Sequence, residues 1–161
     1  LTQVSGRSGR HVQPGQSPGH VIIQTLSPEH PSIQFAQNHD FQGFAQQELE
    51  FRRMLGYPPV GKLVSFRVQG THLDRVQQTA RLLSERAWAL KSQRPQFENL
   101  EILGPTEAPL AKLRGQFRHF LLIKNPQGTP LSNYCSQLLA DQKWVPAGVR
   151  IVVDVDPLHL L

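Results

Sequence analysis

Residues 61–161 read as an α/β fold with the order β-α-β-β-α-β, and two periodicities carry that reading. Leu63 to Gln69 and Val149 to Val155 alternate, as strands with two unlike faces do. Asp74 to Lys91 spaces Val76, Ala80, Leu83, Ala87 and Leu90 four, three, four and three apart, which lines one face of a helix. This order is the split βαβ, or ferredoxin-like, arrangement, with two helices on one face of a four-stranded sheet.

Each element has its own local reason. In the first strand Val64, Phe66 and Val68 share one face, while Ser65, Arg67 and Gln69 share the other, which is expected to be wet. Leu100 to Leu103 is expected as a short strand ended by Gly104-Pro105, followed by a loop and a further strand from Phe117 to Lys124. Thr129 then caps a helix with Pro130 at its first position, and Leu131, Tyr134, Cys135 and Leu138 form its stripe. In the last strand Ile151, Val153 and Val155 are expected inward, with Arg150, Val152 and Asp154 outward. The uncovered sheet face is left to water or a partner.

Residues 28–60 read as a helical connector. Pro28 and Pro31 bracket a turn, Ile33 and Phe35 begin a short helix, and Asp40 caps a second helix running to about Leu55. Phe41, Phe44, Ala45, Phe51 and Leu55 give that helix a stripe expected to dock two bodies. Gly56 stands where a left-handed C-terminal residue is wanted, and Pro58-Pro59 prevents continuation. Further back, Val21 to Thr25 is a β-branched run expected as a buried strand of a parallel sheet, and Arg10 to His20 holds two Pro and two Gly, hence a loop.

Composition excludes several classes. Lys and Arg number 17 against 12 Asp and Glu, a formal net charge of +5 that suits a polyanionic partner without proving one. Cys135 is the single cysteine, so neither an internal disulfide framework nor a Cys-rich zinc site is available, and its helical apolar position marks a packed thiol. No apolar run approaches the roughly 18 residues of a membrane span, so no membrane partner is expected and a cytoplasmic location is the default. There is no G-x-x-x-x-G-K-[ST] phosphate loop, and the chain alone is expected to hydrolyse no ATP.

The opening run Gln3-Val4-Ser5-Gly6-Arg7-Ser8-Gly9-Arg10 sets two arginines three apart, each after a glycine, which suits two rigid donor forks brought close to a polyphosphate. It resembles the Q-x-x-G-R-x-G-R signature, motif VI, of superfamily 2 helicases. Val21-Ile22-Ile23-Gln24-Thr25, Pro28-Glu29-His30-Pro31, Arg52-Arg53-Met54-Leu55-Gly56-Tyr57-Pro58-Pro59, Leu103-Gly104-Pro105 and Asp154-Val155-Asp156-Pro157 follow in order, and the set is similar to the C-terminal part of the PriA family of replication-restart helicases. The resemblance implies that residues 1–27 are the end of a RecA-like lobe. There Gln3, Gly6, Arg7, Gly9 and Arg10 would face ATP, with Arg7 and Arg10 as catalytic arginines, and residues 61–161 would be the DNA-binding domain. It also implies ATP and Mg²⁺ in the longer enzyme, and zinc in a cysteine module upstream of Leu1 that this chain would not bind. Branched DNA, the single-stranded DNA-binding protein and other primosome proteins would be partners.

The candidate for contact with nucleic acid is Ala111 to His119. Lys112, Arg114, Arg118 and His119 concentrate positive charge around Gly115, and Phe117 or Phe120 is available to stack on a base unless the rings lie in the core. One phosphate for each of the first three cations implies a salt slope of roughly −3. The family pattern reads roughly L-R-G-R-Y-R-Y-Q here. This chain keeps Leu113, Arg114, Gly115 and Arg118 but has Gln116 for a basic residue and Phe120 for glutamine. Should the hairpin be only a basic rim, the sheet face around Arg67 and Arg150 is the next place to look. Asp154 and Asp156 have no third ligand and are read as structural, bridged to Arg67 or Arg150 or capping the C-terminal turn. A free-standing ferredoxin-like binding module is the alternative reading of the whole chain. A small phosphate hydrolase built on Arg67-Val68-Gln69-Gly70 is another.

Overall fold

Nine residues from Lys62 to Gly70 form β1, the strand on which the sheet is assembled. The computed structural model describes residues 20–127 and 131–157. The chain divides into two units between Phe51 and Arg52. In the second unit β1 leads to α3 (Leu73–Gln93), then a 3-10 turn at Pro95–Phe97, β2 (Glu101–Leu113), β3 (Gln116–Asn125), α4 (Ser132–Leu138) and β4 (Val149–Val155). The spatial order is β2-β3-β1-β4, antiparallel throughout. Both crossovers skip a position: α3 carries the chain past the place β3 will fill, and α4 carries it back to the far side of β1. That is the expected ferredoxin-like architecture.

The core forms where the alternating face of the sheet meets the helical stripes. Val64, Phe66 and Val68 are sealed beneath Val76, Ala80, Leu83 and Ala87 of α3, with Leu121 and Ile123 beside them. Each large side chain taken fully out of water there contributes about 1.5–3 kcal/mol. Tyr134 of α4 fills the remaining corner, its ring edge-on to Phe97 at 4.8 Å and its hydroxyl donating to the Ala87 carbonyl at 2.6 Å. The hydroxyl thereby keeps a partner after losing water.

Several details of the sheet depart from the sequence expectation. The short strand expected at Leu100 to Leu103 runs on to Leu113, because Gly104-Pro105 falls at a break in register between Leu103 and Thr106 and does not end the strand. An edge strand tolerates proline at such an irregularity. The second sheet face is not wet throughout: Leu63, Ser65, Phe120 and Lys124 are all buried. At this end Lys124 Nζ donates to the Leu55 carbonyl at 2.8 Å, pairs with Glu101 at 2.7 Å and sits 5.2 Å from the Tyr57 ring. Finally, Val153 and Val155 share the face of Ile151 but are 37% and 66% exposed. They lie on an edge strand, and α4 has only seven residues with which to cover them.

Ahead of β1 in the chain, His30 and Pro31 open α1 (Pro31–Gln37), and Asp40 caps α2 (Phe41–Met54) by accepting from the Gly43 amide at 2.8 Å. Val21 to Thr25 forms no strand, and Ile22 is 93% exposed. A strand needs a neighbour to take its backbone donors and acceptors, and none is present among the described residues. The apolar stripe of α2 is present but unburied, with Phe41 and Phe51 both exposed. Gly56 takes φ +63, as its place after the helix requires. Thr129 and Pro130 lie outside the described residues.

Asp156 leaves β4 at φ +47, so it does not share a strand face with Asp154, and its partners are not the arginines expected. Its Oδ1 accepts from the Leu63 amide and its Oδ2 from Lys62 Nζ, both at 3.0 Å, while its own amide donates to the Leu63 carbonyl at 2.7 Å. Burial pushes this carboxyl up, but the Leu63 and Lys62 contacts outweigh it and hold the group below the usual carboxylate range. A depressed folded value stabilises the fold above the unfolded value, near pH 4, and that stability is lost as pH falls through the folded value. Asp156→Ala is therefore expected to cost about 1 kcal/mol in urea unfolding at pH 7, with the gap to wild type closing below about pH 4. For Cys135, burial pushes the thiol up to about 11, only partly offset by a backbone hydrogen bond. At pH 8 the thiolate fraction is then about one in a thousand, and iodoacetamide should modify the native chain about a hundredfold more slowly than the unfolded chain.

Candidate nucleic-acid interface

The β2–β3 hairpin ends in a two-residue turn one pair beyond the last β1–β3 pair, Gly70 with Phe117. Arg114 and Gly115 take φ +50 and +77 between the paired residues Leu113 and Gln116. Positive φ at both central positions matches the twist of the flanking strands, and Gly115 meets that demand without cost. Arg114 meets it as a side chain held outward into water. Lys112 is also exposed, and its ammonium lies 4.7 Å from the Phe117 ring centroid, which steers it to one side of the tip.

A second break in register lies between Glu107 and Lys112. Four residues of β2, Ala108 to Ala111, stand opposite the single residue Arg118 of β3. The bulge is closed by that residue: Arg118 is 6% exposed, and its Nε and Nη2 both donate to the Leu110 carbonyl, at 3.0 and 2.6 Å. Two donors on one oxygen fix the bulge without a third strand. Ala108 is buried beneath it.

The four candidate cations thus separate into two pairs. Lys112 and Arg114 reach solvent. Arg118 and His119 do not, and the buried His119 Nδ1 has no hydrogen-bond partner among the described groups. Phe117 packs against the core and Phe120, on the other sheet face, is 6% exposed, so Phe117 follows the core alternative and Phe120 is buried away from it. Across the sheet, Arg118 and Arg150 are both paired with Gln69. Arg150 is exposed, and Arg67 donates to Gln69 Oε1 at 3.1 Å. The clip between Arg118 and Leu110 was not legible from sequence, since its acceptor is a backbone atom eight residues away; Pro109 inside the strand was the one available sign of a bulge.

Gln3, Gly6, Arg7, Gly9 and Arg10 lie outside the described residues. Among the described residues no group of three or more His, Cys, Asp or Glu is placed to hold a metal ion, and no helix is long and apolar enough to cross a membrane.

Comparison with known proteins agrees over nearly the full length. A family model described as the primosomal protein N C-terminal domain matches residues 53–158. The chain is 38% identical over 160 residues to the replication restart protein PriA of Synechocystis sp., covering 99% of this chain and 18% of that protein. It is 36% identical over 156 residues to that of Bacillus subtilis, again 18% of its length, and 33% identical over 165 residues to that of Treponema pallidum, 23% of its length. The chain therefore spans about a fifth of these curated relatives. With the ferredoxin-like sheet and the ordered motifs, these matches identify the chain as a member of the family of the primosomal protein N C-terminal domain.

Proposed function

We propose that this chain is the DNA-binding and nucleotide-sensing C-terminal portion of an ATP-dependent helicase that recognises branched DNA and starts primosome assembly in replication restart. The names of its relatives supply the setting. The observation that supports the binding role most directly is the hairpin tip. Arg114 is exposed in the two-residue turn, Lys112 is exposed on β2 two residues before it, and Arg118 holds the bulge beneath them. Two exposed cations at the end of one hairpin are each free to neutralise a phosphate, and such contacts carry no sequence information. Arg118 is then a positioning residue, and His119 supports the hairpin from the core side.

Gln3, Gly6, Arg7, Gly9 and Arg10 belong to the same proposal as the residues facing ATP and Mg²⁺, and zinc belongs to the upstream part of the longer enzyme. The acidic tail of the single-stranded DNA-binding protein is a proposed partner of this hairpin. Gln116 stands here for a basic residue, and Phe120 is buried in place of an amide, so that contact is expected to be weaker than in relatives carrying both groups.

A salt titration of affinity for a forked duplex tests the hairpin. Two phosphate contacts imply a slope of log K against log salt of about −2, not −3, and Lys112→Ala with Arg114→Ala should bring it close to zero. Arg118→Ala should instead leave the slope unchanged while lowering affinity and accelerating amide exchange in residues 108–112. An unchanged slope in the Lys112/Arg114 variant would move the interface to Arg67 and Arg150. For the nucleotide role, Arg7→Ala or Arg10→Ala in the longer enzyme should cut ATP turnover by roughly 10³ to 10⁵ with little effect on DNA affinity, and turnover surviving in both variants would remove that assignment.

A further inference from the structure

The hairpin tip carries an apolar feature that phosphate binding does not use. Leu113, at the closing pair of the turn, is 45% exposed, and Leu110, at the bulge, is 52% exposed. Leu113 sits between the two solvent-facing cations Lys112 and Arg114 in sequence. Alternation along the strand puts its side chain on the opposite face from Lys112, which leans on Phe117. The turn below it is short, with both central residues at positive φ, and Arg118 pins the Leu110 carbonyl. A half-exposed leucine beside the turn cation Arg114, with Lys112 on the other face of the same strand, fits a flat apolar surface bordered by negative charge.

We infer that Leu113 is a wedge that packs on the exposed terminal base pair of a duplex where a DNA branch opens. The end of a stacked duplex presents one uncovered base-pair face with phosphates of both strands at its rim, whereas a continuous duplex presents none. Apolar side chains that engage base steps in this way act together with flanking basic contacts. The inference rests on the hairpin's being the DNA contact, and it adds what that reading lacks, a physical reason to prefer branched over plain DNA. Phosphate contacts alone do not distinguish them.

The test uses the 161-residue chain with two DNAs of equal length, a forked duplex and a relaxed closed circle that has no ends. Wild type is expected to prefer the fork. Leu113→Ser removes that preference, weakening fork binding about tenfold relative to the circle, with no change in the salt slope. Leu113→Phe restores it, and a 2-aminopurine placed at the junction base pair brightens with wild type and Leu113→Phe but not with Leu113→Ser. Circular dichroism of each variant confirms that the fold is intact, as expected for a half-exposed position. Equal loss on fork and circle, or no loss on the fork, overturns the wedge and leaves the phosphate reading standing. Absence of salt-dependent binding to either DNA overturns both.

Discussion

A guanidinium that leaves water must find acceptors, because an unpaired charge in the interior costs several kcal/mol. Arg118 finds one, the Leu110 carbonyl, and places two donors on it. A charged hydrogen bond of this kind contributes about 1.5–3 kcal/mol, and here it determines shape as well as stability. It holds four residues of β2 against one of β3, so the strand emerges from the bulge with Lys112, Leu113 and Arg114 at the tip. Without it, Ala108 to Ala111 would have neither a continuous ladder nor a partner for the bulge.

The hairpin stands on a rigid base. β3 is paired with β1 from Asn125 to Phe117, and β1 is flanked on its other side by β4. Beneath the sheet, Phe66, Leu121 and Ile123 are fully buried against α3 and α4. Motion at the tip is therefore confined to the few residues beyond the last core contact, Phe117, whose ring also receives the Lys112 ammonium. Charge held this way loses little conformational entropy on meeting a phosphate, the cost that makes flexible basic tails bind weakly.

Periodicity exposed most of the fold because it is local information. Alternation in β1, the four-three spacing of α3 and the position of Asp40 each depend on residues within a few places of one another, and each is present in the structure. What escaped the sequence is set by distant partners. The continuation of β2 past Pro105 depends on its edge position, and the role of Asp156 depends on Lys62 and Leu63 at the other end of the domain. The exposure of Val155 follows from how far α4 reaches, and Val21 to Thr25 has no neighbouring strand among the described residues. For the candidate interface, charge density in the sequence singled out this hairpin as a candidate, but it had no means of telling Arg118, which is buried, from Arg114, which is exposed.

The proposed contact with nucleic acid lies at the hairpin tip and not on the sheet face. Amide chemical-shift mapping during titration with a forked duplex tests it most directly, since it reads contact residue by residue without altering the protein. The hairpin account predicts that the largest shifts fall at residues 112–116, with Arg67 and Arg150 nearly still. Shifts concentrated at Arg67, Gln69 and Arg150, with the tip unmoved, would contradict it.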